Sequence, residues 1–401
     1  MHLIRLSLLG TAEFRALALS VAGNSVGTVG EQVVLGWLTL ELTNSPLAVG
    51  AALGMRMAPL LFVGIPAGIL ADRTDRHRLL QASGVAMAVA TGLLGGLALV
   101  GAVRLWHLLV LTFVAGCVRA LHQAARQSYA HDLVGAADLV NGLAVLGLAM
   151  RAGGLTGSLL VGALIAKYGA GIAYLGVAAG YLVGALTLLP ARPRAGHAAP
   201  APESTWRNLV GFVAALRHDR TLLPLILLTA SAEILGFSHQ ALLPSLARDV
   251  LEVGPEGLGA MTAARSAGGI LGIVFISGLG QLGGNGSLFL AVLVVFGGSL
   301  VALGAAPGYG WVLLILTVVN AMGAVSDILS QSLIQLTAPG GLRGRASGAW
   351  VVAIGTAPLG QLLIGALASL LGVGVALAAS GLALVLVAAA GALFAPRLRA
   401  L

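Results

Sequence analysis

The strongest constraint on this chain is a series of long apolar stretches separated by short polar segments. A helix needs about 20 apolar residues to cross the hydrocarbon core of a bilayer. Twelve stretches meet that length, and together they predict an all-α, multi-pass membrane protein. They span residues 16–40, 47–71, 79–102, 105–125, 139–165, 170–190, 221–246, 256–280, 287–306, 309–334, 347–370 and 373–395.

The composition agrees with a membrane protein and excludes the main alternatives. Charged residues make up 9% of the chain, whereas an average soluble domain carries roughly 25%. A soluble surface needs more charge than this, and a disordered chain needs a far less apolar composition. The net charge of +8 comes from arginines clustered between the apolar stretches. That pattern is typical of membrane orientation rather than of nucleic-acid binding.

Signals for catalysis and metal binding are weak. The sequence has no phosphate-binding loop and no metal-hydrolase motif. Cys117 is the single cysteine, and no group of His, Asp and Cys has metal-ligand spacing. We therefore predict that the chain is not an enzyme and that it has no cofactor, no metal site and no nucleic-acid partner.

The longest polar stretch divides the apolar series into two sets of six. It begins at Ala191 and is rich in proline, and residues 204–219 then follow the pattern of a short amphipathic helix on a membrane surface. The halves are weakly similar, since Val49–Arg56 aligns without gaps with Leu258–Arg265. The predicted organisation is a six-helix bundle at 1–190, a cytoplasmic linker at 191–220 and a second bundle at 221–401.

The positions of the basic residues predict the orientation. With the N-terminus in the cytoplasm, fifteen arginines fall in cytoplasmic segments, and three basic residues fall in outer loops. The three are Arg104, Lys167 and Arg248. Because basic residues are enriched on the cytoplasmic side of membrane proteins, both termini are predicted to be cytoplasmic.

Three acidic residues, Glu31, Glu233 and Asp327, lie inside apolar stretches. An ionised group at the centre of a span costs about 2.5–3.5 kcal/mol even on lenient scales. Each acid has polar or small neighbours at helical spacing, so we expect these helix faces to line a water-filled cavity. The polar neighbours that we take as binding candidates are Asn24, Gln240, Asn320 and Gln331.

The buried acids have two interpretations. In the first, one or more of them binds protons or a cationic substrate, and the pKa of each depends on whether it is buried or near an arginine. In the second, each forms a fixed ion pair that only orients helices. The arginines that provide such partners, or that bind an anionic substrate, are Arg56, Arg151 and Arg265. His239 is either a proton relay or an interfacial packing residue.

Three motifs carry a family resemblance. The loop after the second stretch reads Gly68-Ile-Leu-Ala-Asp-Arg-Thr-Asp-Arg-His-Arg78. It resembles the G-x-L-a-D-r-x-G-r-r signature of the major facilitator superfamily, with Asp75 where that family usually has glycine. The segments Gln123-Ala-Ala-Arg-Gln-Ser128 and Leu342-Arg-Gly-Arg345 are similar to segments of its drug and siderophore exporter branch.

The resemblance implies twelve helices in two pseudo-symmetric six-helix bundles that work by alternating access. It also implies a cytoplasmic gate in which Asp72 meets the start of the eleventh span near Ser347. The alternative is that the basic residues of this loop only set the topology. The candidate gate residues are Gly68, Asp72, Arg73, Arg76, Arg119 and Arg126, with His122 beside them.

The combined expectation is a secondary active transporter in a bacterial inner membrane. We expect proton-coupled antiport that exports a small amphipathic or hydrophobic compound, such as a drug-like metabolite or a siderophore. The alternatives are uptake or lipid movement by the same fold, and a membrane scaffold or sensor that transports nothing. The expected partners are the small-molecule substrate, protons and membrane lipid, and the protein is expected to be a monomer.

Overall fold

The computed structural model describes residues 6–190, 221–278, 286–337, 350 and 352–399. Within these residues every regular element is a helix, as the apolar pattern predicts. The predicted linker and its amphipathic helix lie outside the described residues, and so do the gate partner Ser347 and the segment Leu342–Arg345. The side chain of Asp72 also lies outside them.

A short 3-10 turn at Leu6–Gly10 precedes the first helix. The helices are numbered in chain order. They are α1 (Ala12–Thr43), α2 (Pro46–Met57), α3 (Pro59–Arg73), α4 (Arg76–Leu99), α5 (Leu105–Leu186), α6 (Leu222–Val250), α7 (Gly254–Gly278), α8 (Gly286–Gly304), α9 (Tyr309–Thr337), α10 (Ala357–Leu371), α11 (Val373–Phe394) and α12 (Pro396–Arg399).

Two glycines divide α5 into three segments. Gly135 has φ 70° and ψ 174°, and Gly169 has φ 82° and ψ 171°, values that lie outside the helical region. Glycine adopts positive φ at little cost because it has no Cβ. The segments 105–134, 136–168 and 170–186 therefore correspond to the fourth, fifth and sixth predicted spans.

Ten helical stretches among the described residues are long and apolar enough to cross a membrane. One of them, Asn141–Leu186, contains the break at Gly169 and so holds two predicted spans. Helix α1 has 32 residues and is also long enough, but it is more polar because it carries Asn24, Glu31 and Gln32. The all-α membrane architecture is confirmed, and its helices are consistent with the predicted count of twelve.

Helix α6 departs from α-helical geometry along much of its length. It contains π-helical turns at Ala232–Gly236 and Leu246–Val250, with a 3-10 segment at Phe237–Leu242 between them. Such π turns are frequent at functional sites because they change the hydrogen-bond register of a helix locally. The hydroxyl of Ser380, on α11, donates a 2.7 Å hydrogen bond to the carbonyl oxygen of Leu235 and so stabilises the first π turn.

The chain forms two compact units, which are described separately. The first comprises Met1–Thr43, Met55–Pro202 and Gly254–Ala263, and the second comprises Asn44–Gly54, Glu203–Val253 and Ala264–Leu401. Each unit therefore includes one short segment from the opposite half of the sequence. The predicted boundaries 1–190, 191–220 and 221–401 stay a prediction.

Glycines permit close helix packing within each unit. In the first unit, a Cβ atom on Gly157 would lie 2.6 Å from the carbonyl oxygen of Val26, so α1 and segment 136–168 meet at their backbones. In the second, a Cβ atom on Gly360 would lie 2.5 Å from the carbonyl oxygen of Ile234, which brings α10 against the first π turn of α6. Small residues at such contacts let membrane helices approach one another.

Candidate functional site

Glu31 is the centre of a buried polar network in the first unit. It lies on α1, and its side chain is 1% exposed. Its Oε2 atom accepts a 2.5 Å hydrogen bond from Nη2 of Arg119 and a 2.6 Å hydrogen bond from the hydroxyl of Tyr181. Arg119 lies on segment 105–134 and Tyr181 on segment 170–186. Two donors from two further segments therefore hold one oxygen of Glu31.

Arg56, on α2, supplies a second guanidinium to this network. Its Nη2 donates a 2.7 Å hydrogen bond to the carbonyl oxygen of Thr28, and its Nε lies 3.9 Å from Oε1 of Glu31. The side chain of Thr28 extends the network, because its hydroxyl lies 3.4 Å from both the Tyr181 hydroxyl and Oδ1 of Asn24. Three helical segments therefore bring side chains to the single carboxylate that α1 carries.

The network holds a surplus of hydrogen-bond donors. Two guanidinium groups face one carboxylate, which leaves one positive charge in excess. The buried atoms Nε of Arg56, Nε of Arg119 and Nδ2 of Asn24 make no hydrogen bond within the described chain. The buried hydroxyl of Tyr174 and Oε1 of Glu31 also make none there. The described part of this network therefore holds one positive charge in excess and leaves several buried donors and one buried acceptor without hydrogen bonds.

Glu233 has very different surroundings in the second unit. It lies in the first π turn of α6, and 7% of its surface is exposed. Within the described residues, no hydrogen bond or salt bridge reaches its carboxyl group. The half-buried Asp327 on α9 interacts with it electrostatically, so two acidic groups lie near each other. The sequence placed Glu233 and Asp327 on different spans, and the structure brings them within electrostatic range of each other.

His239, Arg265 and Asn320 also belong to the second unit. Nε of Arg265 donates a 3.3 Å hydrogen bond to Oδ1 of Asn320, and Arg265 interacts electrostatically with His239. Nδ1 of His239 lies 2.7 Å from the carbonyl oxygen of Gly236. A carbonyl oxygen only accepts, so Nδ1 carries the hydrogen of this bond. His239 is completely buried, and its role as a proton relay or as an interfacial packing residue stays a prediction.

The remaining polar candidates differ in burial. Asn24 and Asn320 are each 9% exposed, whereas Gln240 and Arg151 are half-buried. Gln331 is exposed on α9. The two asparagines are therefore better enclosed than the other polar candidates.

The loop between α3 and α4 forms an ion pair and a helix cap. Nη1 of Arg76 lies 2.6 and 2.7 Å from the two carboxylate oxygens of Asp132, on segment 105–134. Asp75 is the N-cap of α4, and its Oδ1 accepts hydrogen bonds of 3.0 and 3.2 Å from the backbone N–H groups of His77 and Arg78. The aspartate that departs from the family pattern is therefore a capping residue. Beside the ion pair lies a cavity of about 290 Å³ lined by Arg76, Gln127, Ser128 and His131.

The structure divides the residues grouped as a gate. Arg119 bonds to Glu31 in the buried network, and its grouping with the gate stays a prediction. Nη1 of Arg126 lies 3.6 Å from the sulfur of Met150 instead. The two arginines are seven residues apart, which separates them by roughly 10 Å along a helix at 1.5 Å per residue. Arg73 is exposed and Gly68 is half-buried, and His122 is buried with its Nδ1 2.9 Å from the hydroxyl of Ser83.

One hydrolase-like pattern, Gly23-Asn-Ser-Val-Gly27, lies in the middle of α1. The nucleophilic serine of that motif normally sits on a sharp turn between a strand and a helix. Here Ser25 is buried on a continuous helix and donates a 2.5 Å hydrogen bond to the carbonyl oxygen of Met150. This serine therefore serves helix packing. Within the described residues, no three His, Cys, Asp or Glu side chains are placed to hold a metal ion.

Sequence reasoning missed Tyr181, Tyr174 and Thr28, and it assigned no role to Asp132. A tyrosine inside an apolar span is a usable signal, because a buried hydroxyl usually finds a hydrogen-bond partner. The signal does not identify the partner, since Tyr181 and Glu31 are 150 residues apart.

Comparison with known proteins gives relatives along nearly the whole chain. A family model described as transmembrane secretion effector matches residues 5–400. The chain is similar to the multidrug efflux pump Tap of Mycolicibacterium fortuitum, with 27% identity over 392 residues that cover 95% of this chain and 94% of the pump. It is also similar to the enterobactin exporter EntS of Salmonella typhimurium, with 30% identity over 379 residues that cover 90% and 88% of the two chains.

Solved transporter structures share the fold. A bacterial homologue of the human lysosomal transporter Spinster, in an inward-facing and unoccupied conformation, superposes with a TM-score of 0.73 at 16% identity, covering 96% of both chains. A POT family transporter in complex with a thioalcohol-conjugated peptide gives a TM-score of 0.77 at 11% identity, again over 96% of both chains. At these identities the likeness concerns the fold alone, and it confirms the predicted fold class.

Proposed function

We propose a function from one premise: the chain belongs to the transmembrane secretion effector family of the major facilitator superfamily. Membership of this family points to a multi-pass membrane transporter rather than to an enzyme. The proposal is that it exports a small amphipathic or hydrophobic compound across a bacterial inner membrane, with both termini in the cytoplasm. Export proceeds by alternating access and is driven by proton entry.

The contrast between two buried glutamates carries this proposal. Glu31 accepts hydrogen bonds from Arg119 and Tyr181, so it is stabilised as a carboxylate. Glu233 has no such partner within the described residues and lies near a second acid, Asp327. When two carboxyl groups interact electrostatically in a low-dielectric environment, a state in which one of them is protonated is favoured over a state with two negative charges. We therefore assign proton binding to Glu233 with Asp327, and a fixed ion pair to Glu31.

The irregular backbone of α6 supports the same assignment. Glu233 lies in a π turn, and the 3-10 segment with His239 follows directly. A helix with such a break bends and rearranges at lower cost than a regular helix, because its hydrogen-bond register is already interrupted. In this proposal, a change in the backbone geometry of α6 alters the surroundings of the carboxyl group that binds the proton.

A proton gradient provides enough free energy for export. One elementary charge that moves through 100 mV releases about 2.3 kcal/mol, which corresponds to roughly a fifty-fold concentration ratio. The relatives support the outward direction, since one is named a multidrug efflux pump and another an enterobactin exporter. The substrate class of those proteins is carried to this chain as part of the proposal.

Transport in inside-out proteoliposomes tests the proposal. With an acidic lumen, the wild-type protein is expected to accumulate an amphipathic probe in the lumen, and the accumulation should collapse when a protonophore removes the gradient. The probes are dansylglycine, dansylglycinamide and rhodamine 6G, which are anionic, neutral and cationic respectively. If no probe moves in response to the imposed gradient, proton-coupled export of such compounds is wrong.

Two neutralised variants locate the proton site. Glu233→Gln and Asp327→Asn are expected to lose uphill accumulation but to keep exchange of labelled for unlabelled probe, which needs no net proton movement. Glu256→Gln removes an exposed acid at the start of α7 and serves as the matched control. Full uphill transport in both Glu233→Gln and Asp327→Asn would refute this assignment.

A further inference from the structure

We propose that the buried network of Arg56, Arg119 and Glu31 binds the acidic group of an organic anion. All residues of this network lie in the first unit. That the exported compound carries the acidic group rests, in addition, on the proposed function. The chemical class is a carboxylate or phosphate attached to an apolar body.

The network carries more positive charge than Glu31 can neutralise. Arg119 already neutralises the single charge of Glu31 through a 2.5 Å hydrogen bond to its Oε2, so charge balance needs no second arginine. Arg56 nevertheless lies in the same network, with its Nε 3.9 Å from Glu31 and without a hydrogen bond there. An uncompensated cation within a membrane protein is unfavourable. A bound anion would neutralise it.

The two arginines are more accessible than the glutamate that they surround. The side chain of Glu31 is 1% exposed, whereas that of Arg119 is 15% exposed and that of Arg56 is 8% exposed. A molecule that approaches the network therefore meets guanidinium groups and not the carboxylate. Guanidinium groups match carboxylate and phosphate geometry because they present several N–H donors in one plane.

Several buried hydrogen-bond donors of the network have no acceptor among the described residues. Nε of Arg56, Nε of Arg119 and Nδ2 of Asn24 are buried without hydrogen-bond partners among the described residues, and the hydroxyl of Tyr174 is in the same condition. Buried donors are normally satisfied in native proteins. Donors gathered around a net positive charge point to an acceptor that arrives as a ligand.

Equilibrium binding to the full chain in lipid nanodiscs tests the proposal without any ion gradient. Three acids are compared with their amides: dansylglycine with dansylglycinamide, indole-3-acetate with indole-3-acetamide, and decanoate with decanamide. We expect at least one acid to bind about tenfold or more tightly than its amide, because hydrogen bonds to charged groups are strong. No preference for an acid in any of the three pairs would overturn the proposal.

Variants of Arg56 connect the preference to the network. Arg56→Gln removes the surplus charge and keeps the bond between Glu31 and Arg119, so the preference for the acid over its amide should disappear. Arg56→Lys keeps the positive charge and should retain part of the preference for the acid. This variant shows whether a substitution at position 56 still gives a folded protein. Arg397→Gln removes an exposed arginine near the C-terminus and should bind like wild type. Retention of the full preference in Arg56→Gln would also overturn the proposal.

An inorganic anion is the remaining outcome. Sodium chloride is compared with the sodium salt of the best acid at equal ionic strength by thermal unfolding. If chloride stabilises the wild type as much as the best acid does, the site holds an inorganic anion and the claim about organic anions is wrong. These measurements use no proton gradient, so their failure and the failure of proton coupling in Glu233→Gln are separate results.

Discussion

Nη2 of Arg119 lies 2.5 Å from Oε2 of Glu31, although the two residues are 88 positions apart in the chain. This bond makes Arg119 part of a buried network, a contact that its predicted grouping with the cytoplasmic gate did not include. It also distinguishes Glu31 from Glu233, for which the described residues offer no cation. The acidic residues that look equivalent in the sequence are therefore assigned different roles.

Removal of the Glu31 charge should destabilise the protein strongly. Glu31→Gln leaves Arg56 and Arg119 without a counter-charge, and breaking a buried pair from one side typically costs about 3–5 kcal/mol. Thermal unfolding in nanodiscs should show this loss, with Glu256→Gln as the control. The double variant Glu31→Gln with Arg56→Gln restores the net charge of the network and should recover part of the stability. A double variant less stable than the sum of the single effects would contradict this account.

Two tyrosines form a matched pair for the hydrogen bond to Glu31. Tyr181→Phe removes a 2.6 Å donor to a buried carboxylate and should reduce stability by about 1.5–3 kcal/mol. Tyr174→Phe removes a buried hydroxyl that has no hydrogen-bond partner in the described chain, so stability without ligand should stay constant or rise. Equal losses in the two variants, measured by thermal unfolding, would argue against the assigned hydrogen bonds.

The cap on α4 should respond to changes at Asp75. Asp75→Ala removes the acceptor for two backbone N–H groups and should destabilise the protein by about 1 kcal/mol. Asp75→Asn keeps a capping oxygen and should behave like wild type, and Asp75→Gly should lose only a few tenths of a kcal/mol. The glycine variant also restores the usual residue of the superfamily. A large loss of stability in Asp75→Asn would mean that the carboxylate charge, and not the capping hydrogen bonds, stabilises the start of α4.

The ion pair between Arg76 and Asp132 should affect the transport cycle more than substrate binding. Asp132→Asn removes a pair with both hydrogen bonds shorter than 2.8 Å, close to the loop that the sequence assigns to the gate. We expect the turnover of the transported probe to fall several-fold while the probe concentration at half-maximal rate stays nearly constant. Asp249→Asn, which changes an exposed acid on α6, is the control. A change confined to the half-maximal concentration would place Asp132 in substrate binding.

The orientation can be checked by cysteine labelling in intact cells. Lys167 and Arg397 are both exposed, and the charge pattern places them on opposite sides of the membrane. In a Cys117→Ser background, Lys167→Cys should react with an impermeant maleimide in intact cells. Arg397→Cys should react only after the membrane is permeabilised. The reverse pattern would invert the predicted topology.

Much of the architecture was predictable from local composition. Helix α11 and the apolar stretch 373–395 nearly coincide, because a span of lipid-facing residues must be apolar along its whole length. The breaks at Gly135 and Gly169 were also close to predicted boundaries. The π turns of α6 were not predictable, because the apolar pattern of 221–246 is compatible with a regular helix.

The sequence by itself determined that this chain crosses a membrane many times and that charged groups are buried within it. Those conclusions follow from hydropathy and from charge in hydrocarbon, which are properties of each segment alone. Only the tertiary structure decided that Glu31 meets Arg119, Arg56 and Tyr181, whereas Glu233 interacts electrostatically with Asp327. These partners lie on separate helical segments, and the energy of an ion pair depends on the distance between side chains after packing, not on their spacing in the chain.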